Sequence, residues 1–93
     1  MIRSFADETT RKAWLRQRAR RLGTDLQRAA QKTLRLLNAA ESINDLRVPP
    51  GNRLEELAGD RTGQHSIRVN DQYRICFKWT ATGPADVEIT DYH

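Results

Sequence analysis

The sequence predicts an α+β fold, with N-terminal helices packed on one face of a small, largely antiparallel β-sheet. Three observations lead there. From Glu8 to about Ala39, apolar residues recur at helical spacing. From Ser66 onward they alternate, as strand residues do. Breaker clusters at Pro49-Pro50-Gly51-Asn52, Gly59–Gly63 and Thr82-Gly83-Pro84 divide the second half into short segments. A short strand, then helices, then about four strands is the order expected of an α+β domain.

Residues 1–93 read as one domain, with no internal repeat, linker or low-complexity tract. Hydrophobic residues make up 38% and charged residues 30%, which excludes a disordered chain. Sixteen Lys and Arg against twelve Asp and Glu give a net charge of +4, which suits an anionic partner such as nucleic acid. The single Cys76 has no partner for an internal disulfide, which fits a reducing compartment. There is no N-terminal apolar h-region and no run long enough for a membrane span, so a cytoplasmic location away from membranes is expected. The two His and one Cys lack metal-ligand spacing, and neither a metal site nor a cofactor is expected.

Met1 to Phe5 reads as a short strand, edge or central, anchored by Ile2 and Phe5. Asp7 suits an N-cap and Glu8 the first turn of a helix running to about Gln17, with Ala13 and Trp14 inward. Arg16 to Arg21, RQRARR, reads as a solvated helix end, a nucleic-acid patch or a docking surface for an acidic protein. The run has no aromatic interleaving, which favours the solvated helix end. Gly23 ends that helix, and Thr24-Asp25-Leu26-Gln27 has the form of a capping box. Leu26, Ala29, Ala30, Thr33, Leu34 and Leu37 form one stripe of the second helix, a core face, with Arg28, Gln31, Lys32 and Arg35 opposite.

Ala40 to Leu46 suits a tight helical turn or loop. Arg53 to Leu57 is read as a short strand because breakers bound it on both sides. Two alternating runs joined by Asn70-Asp71-Gln72 predict a hairpin. Ile67, Val69, Tyr73, Ile75, Phe77 and Trp79 share its apolar face. Ser66, Arg68, Arg74, Cys76 and Lys78 share the other, which is expected to be exposed and cationic. Val87 to His93 closes the chain as a strand with Val87 and Ile89 inward.

A cationic strand face suits a phosphate backbone. RNA carries its own nucleophile, the 2′-hydroxyl, so a protein that holds the adjacent phosphate in line can cut the strand without a metal. It needs a base near the 2′-oxygen, cations for the charge on phosphorus oxygens, and an acid for the departing 5′-oxygen. Arg68, Arg74 and Lys78 on the hairpin, Arg53 past the PPGN turn, and Asp91, Tyr92 and His93 at the last strand's end supply these types. Each also has an ordinary reading: Arg74 and Lys78 as solvated strand residues, Tyr92 as an edge aromatic, His93 as a terminal residue, Arg53 as a partner of Glu55 or Glu56, and Cys76 as filler. Periodicity and composition do not separate a nuclease from an RNA-binding module.

Several runs carry a resemblance. They are Asp45-Leu46-Arg47, Pro49-Pro50-Gly51-Asn52-Arg53-Leu54-Glu55, Gly59-Asp60-Arg61 with Gly63-Gln64, and Ser66-Ile67-Arg68-Val69-Asn70. They continue through Gln72-Tyr73-Arg74-Ile75-Cys76-Phe77, Val87-Glu88-Ile89 and Asp91-Tyr92-His93, with Met1–Phe5 also similar. The chain resembles the HigB-type plasmid-maintenance killer toxins of the RelE/ParE superfamily. The resemblance implies a RelE-like microbial RNase fold and a ribosome-dependent mRNA interferase. Such an enzyme cuts mRNA in the A site of the 70S ribosome and is held inactive by a helix-turn-helix, HigA-like antitoxin. Operator DNA is then met only through the antitoxin.

Carried over by position, Arg74 matches an arginine that clamps the scissile phosphate, and Asp91, Tyr92 and His93 match a catalytic tail. Arg53 stands where some relatives have His; being always charged, it can bind but not transfer protons. Ala58 stands where several relatives have Lys. On this reading Arg74 and Arg68 hold the scissile phosphate, Lys78 adds to the cationic RNA-binding face, and Arg53 and Arg61 position RNA or ribosomal RNA. Tyr92 and His93 transfer protons, and Asp91 orients them or shares a proton. Three alternatives stay open: a ParE-like toxin that poisons gyrase, a non-catalytic ribosome- or RNA-binding module, and a domain whose helices dock a protein partner.

Overall fold

The computed structural model describes residues 1–91. Helices α1 (Glu8–Trp14) and α2 (Thr24–Ala39) precede strands β1 (Glu55–Glu56), β2 (His65–Arg68), β3 (Tyr73–Thr80) and β4 (Gly83–Asp91). The strands lie in sequence order and every neighbouring pair is antiparallel. The N-terminal run lies along the outer edge of β4, with Phe5 bridging Val87 in parallel. The Arg3 N–H donates to the Pro84 carbonyl, and the Ala6 N–H to that of Val87.

Asp7 caps α1, its carboxylate accepting the Thr10 N–H at 2.8 Å. The helix stops at Trp14, earlier than apolar spacing suggests. Arg16 has φ 61°, the left-handed conformation, and the Gln17 and Arg16 N–H groups turn back to the carbonyls of Lys12 and Ala13. This is a Schellman closure with arginine where glycine is usual. Arg16–Arg21 is therefore a linker and not a helix end, so the helix dipole does not account for its charge. The Gln27 side chain pins that linker, donating to the Gln17 carbonyl at 2.7 Å and accepting the Ala19 N–H at 3.2 Å. Gln27 is thus not a capping-box partner, and Gly23 caps α2 without a side-chain bond.

Ala30, Thr33, Leu34 and Leu37 form the buried face of α2. Leu34 and Leu37 meet Ile67, Ile75, Phe77 and Val87 in one core, with Ala13 of α1. Each fully buried leucine contributes about 1.5–3 kcal/mol. Thr10 ties α1 to the sheet, its hydroxyl accepting the Ile89 N–H at 2.9 Å. The segment between α2 and β2 turns through Ile43–Arg47, Pro50–Asn52 and Gly59–Arg61. Asn52 is buried and donates to the carbonyls of Leu46 and Val48, which fixes the turn. The expected strand over Arg53–Leu57 shrinks to Glu55–Glu56, paired with Ser66 and His65.

The β3–β4 turn forces a close approach. Gly83 has φ 131°, and a Cβ there would lie 2.3 Å from the Met1 carbonyl oxygen. Gly83→Ala is expected to lower stability by about 2 kcal/mol, read as a fall of roughly 10 °C or more in the thermal midpoint. A second expectation concerns pH. The Glu41 and Ser42 N–H groups hold the Asp45 carboxyl below the ordinary carboxylate value. A lowered folded pKa stabilises above the unfolded value, and that contribution is lost as pH falls through the folded one. The gap in thermal midpoint between the parent and Asp45→Ala should therefore narrow on acidification; a gap independent of pH would refute this account.

Candidate functional site

The sheet's two faces differ in kind. Ile67, Ile75 and Phe77 face the helices, and by alternation Ser66, Arg68, Arg74 and Cys76 point the other way. On that second face lies a cleft of about 320 Å³ lined by Arg53, Glu55, Arg68, Asn70, Asp71 and Arg74.

Arg74 is not the exposed strand residue that alternation suggested. It is only 7% exposed, because the segment around Arg53–Glu55 lies over it. A buried guanidinium must be hydrogen-bonded, and this one is. Its Nε donates to the Ser66 hydroxyl at 2.7 Å, and its Nη2 to the carbonyls of Ser66, at 3.2 Å, and Arg53. The Glu55 carboxylate stands 4.0 Å away.

Arg68 lies directly across from Arg74 in the β2–β3 register and is bound by Asp71 of the hairpin turn. The Asp71 side chain is fully exposed, so this pair contributes little to stability. Arg53 has φ 46°, a left-handed conformation that aims its carbonyl at Arg74. Among the described residues it has no ion pair, so the ordinary reading of it as a partner of Glu55 or Glu56 is not what is found.

Arg61 and Lys78 stand outside the cleft. The Arg61 guanidinium bridges to Glu88 at 3.2 Å and to Gln64 at 3.0 Å, and Glu88 lies beside Cys76 in the register. Lys78 is four residues along β3 from Arg74, about 13 Å at strand rise, and faces Asp86 at 3.9 Å. The expectation that Arg68, Arg74 and Lys78 share one exposed cationic surface is corrected accordingly. A bulge at Asp86, φ 52°, shifts the β3–β4 register at Lys78.

Asp91 pairs with Tyr73 and accepts from the Gln72 side-chain amide at 3.1 Å. That register sets it out of phase with Arg74, on the helix side of the sheet with Ile89. Tyr92 and His93 fall outside the described residues. Sequence reasoning missed Ser66, Glu55 and Asp71 as parts of the site. Asn70-Asp71 was legible only as a turn, and the Asn70 side-chain oxygen Oδ1 does accept the Gln72 and Tyr73 N–H groups.

Among the described residues, Arg53, Arg68 and Arg74 against Glu55 and Asp71 leave the cleft lining with one surplus positive charge. A guanidinium fork matches the geometry of a phosphate group. Arg74→Met would leave the Ser66 hydroxyl and two carbonyls short of their donor. It is expected to destabilise the fold by about 1–3 kcal/mol, measured by urea unfolding.

An α+β protein with an arginine-lined cleft on the open side of a four-stranded meander is the class that these features define. The same architecture recurs in a chain of the YoeB–YefM complex from Staphylococcus aureus, with TM-score 0.63 and 13% identity over 100% of this chain and 98% of that one. The chain belongs to the HigB-like family, described as RelE-like toxins of the type II toxin–antitoxin system HigB, whose model matches residues 3–93. It is 44% identical over 72 residues to Toxin HigB-1 of Vibrio cholerae, covering 71% of this chain and 76% of that protein. An uncharacterized protein of Haemophilus influenzae is 41% identical over 59 residues, 63% of this chain and 58% of its own length. The protein is thus a toxin of the RelE/HigB family of type II toxin–antitoxin systems.

Proposed function

We propose that this toxin is a ribosome-dependent endoribonuclease that cuts mRNA in the A site by attack of the 2′-hydroxyl, with no metal or cofactor. The observation that carries the reading is the cleft in which Arg74 is fixed beside Arg68 and Arg53. Arg74 and Arg68 take the scissile phosphate, Arg68 exchanging Asp71 for it. The 2′-oxygen forms a bond to phosphorus as the bond to the 5′-oxygen breaks, giving a cyclic phosphate and a 5′-hydroxyl. A base removes the 2′-hydroxyl proton and an acid supplies one to the 5′-oxygen; Tyr92 and His93 are assigned these roles from the sequence. Asp91, anchored to the hairpin turn through Gln72, acts at one remove by fixing the strand that leads to them. Arg53 positions the RNA strand. Arg61 is held by Glu88 and Lys78 lies near Asp86, so both contribute at the margin as RNA or ribosome contacts.

On this reading residues 1–93 act as a single toxin domain in the cytoplasm, neutralised by a helix-turn-helix antitoxin. The S. aureus neighbour is itself part of a complex, which supports a protein partner here. Operator DNA is reached only through that antitoxin. Among the described residues, no helix is long and apolar enough to cross a membrane.

The test is cleavage of mRNA on translating ribosomes, mapped by primer extension. Arg74→Ala, Arg74→Lys and deletion of His93 are each expected to lower the rate at least tenfold with ribosome binding retained. Lysine is included because it cannot reproduce the fork that meets Ser66 and Arg53. Binding to naked mRNA should be weak and fall steeply with salt. Parent-like cutting by both Arg74→Ala and the His93 deletion would misplace the site. Unchanged mRNA 5′ ends with inhibited supercoiling would replace this reading with gyrase poisoning.

A further inference from the structure

We infer that Ser66 is the positioning residue for Arg74, and that its hydroxyl is needed for phosphate capture although it does not touch the phosphate. The inference rests on the reading of Arg74 as the residue that holds the scissile phosphate.

Ser66 is completely buried on β2, on the cleft side of the sheet. Its register partner is Cys76, two residues from Arg74 along β3, so Arg74 reaches Ser66 diagonally across the sheet. The contact is double. The Ser66 hydroxyl accepts from Nε at 2.7 Å, and the Ser66 carbonyl accepts from Nη2 at 3.2 Å. The Arg53 carbonyl takes a further Nη2 contact from the covering loop.

A guanidinium is planar, so bonds at both Nε and Nη2 set its plane and the direction of every other N–H. A free arginine has many rotamers and would lose that freedom each time a phosphate bound; here the loss is met in folding. Of the three hydrogen-bond acceptors named here, the hydroxyl alone is a side-chain group, so a substitution removes it while leaving the two carbonyls in place. An alanine would leave the Nε–H buried without its acceptor, a costly state, and the side chain would turn away to escape it. A serine needed only for its small size would make no such demand.

Three measurements test this. First, Ser66→Ala, which adds no atoms and should fold, is expected to slow single-turnover cleavage on translating ribosomes by roughly 10- to 100-fold while leaving ribosome binding within about twofold. Ser66→Thr, which keeps the hydroxyl, should recover most of the rate. Second, in an Arg74→Ala background Ser66→Ala should cause no further loss, because its effect passes through Arg74; an additive loss would mark Ser66 as merely structural and end the inference. Third, the Arg74 Nε–H, followed by nitrogen-15 NMR, should be protected from solvent exchange in the parent and unprotected in Ser66→Ala. This last readout needs no activity. If the parent cuts no mRNA, the nuclease reading falls, and the NMR comparison still decides whether Ser66 holds Arg74. Equal protection in parent and variant overturns the inference.

Discussion

The buried guanidinium of Arg74 is the constraint on which the rest of this molecule turns. Taking a charge out of water is expensive unless its N–H groups are met. Meeting them requires Ser66 on the neighbouring strand and the Arg53 carbonyl on the covering loop. The loop presents that carbonyl only because Arg53 adopts a left-handed conformation, and the preceding turn holds because Asn52 is buried against the carbonyls of Leu46 and Val48. Site and fold are therefore not separable here. The polar segment that covers the sheet's second face is also the segment that builds the cleft.

The distribution of charge follows from the same constraint. Basic side chains on the sheet's second face face carboxylates: Arg61 with Glu88, Arg68 with Asp71, Arg74 with Glu55 and Lys78 with Asp86. What emerges, among the described residues, is a cleft with a small surplus charge. Part of the net charge of +4 resides elsewhere, in the Arg16–Arg21 linker that Gln27 pins above the start of α2. A positive total charge thus says less about the site than its local pairing does.

How much could be read from residues alone depended on whether the signal was local. The hairpin, the stripe of α2 and the Asp7 cap each rest on neighbours in sequence, and each is found. The end of α1 was hidden because arginine occupies a left-handed position that glycine usually marks. Alternation placed Arg74 on the correct side of β3 but carried no information on whether a distant segment would cover it. The Asp86 bulge likewise leaves no plain trace in the spacing of Ala85-Asp86-Val87, yet it shifts the register at Lys78. Asp91 shares the phase of Val87 and Ile89 by alternation, and its pairing with Tyr73 puts it on their face. The roles given to Tyr92 and His93 concern residues outside those described.

The proposed dependence on the ribosome has a physical rationale in what the described part of the cleft offers a single strand. Among the described residues no aromatic side chain lines it, so they offer no stacking, a principal source of affinity for single strands. On the proposed reading its three arginines hold one linkage and leave the nucleotides on either side to be ordered by something else. In free solution a flexible strand would have to surrender its conformational freedom to a surface that offers little in return. On the proposed reading, a translating ribosome already holds its message in one path, so that entropy would be lost before the toxin arrived and only the local contact would remain to be made. A fixed guanidinium suits that arrangement, because a rigid cation gains most when its target is also held still.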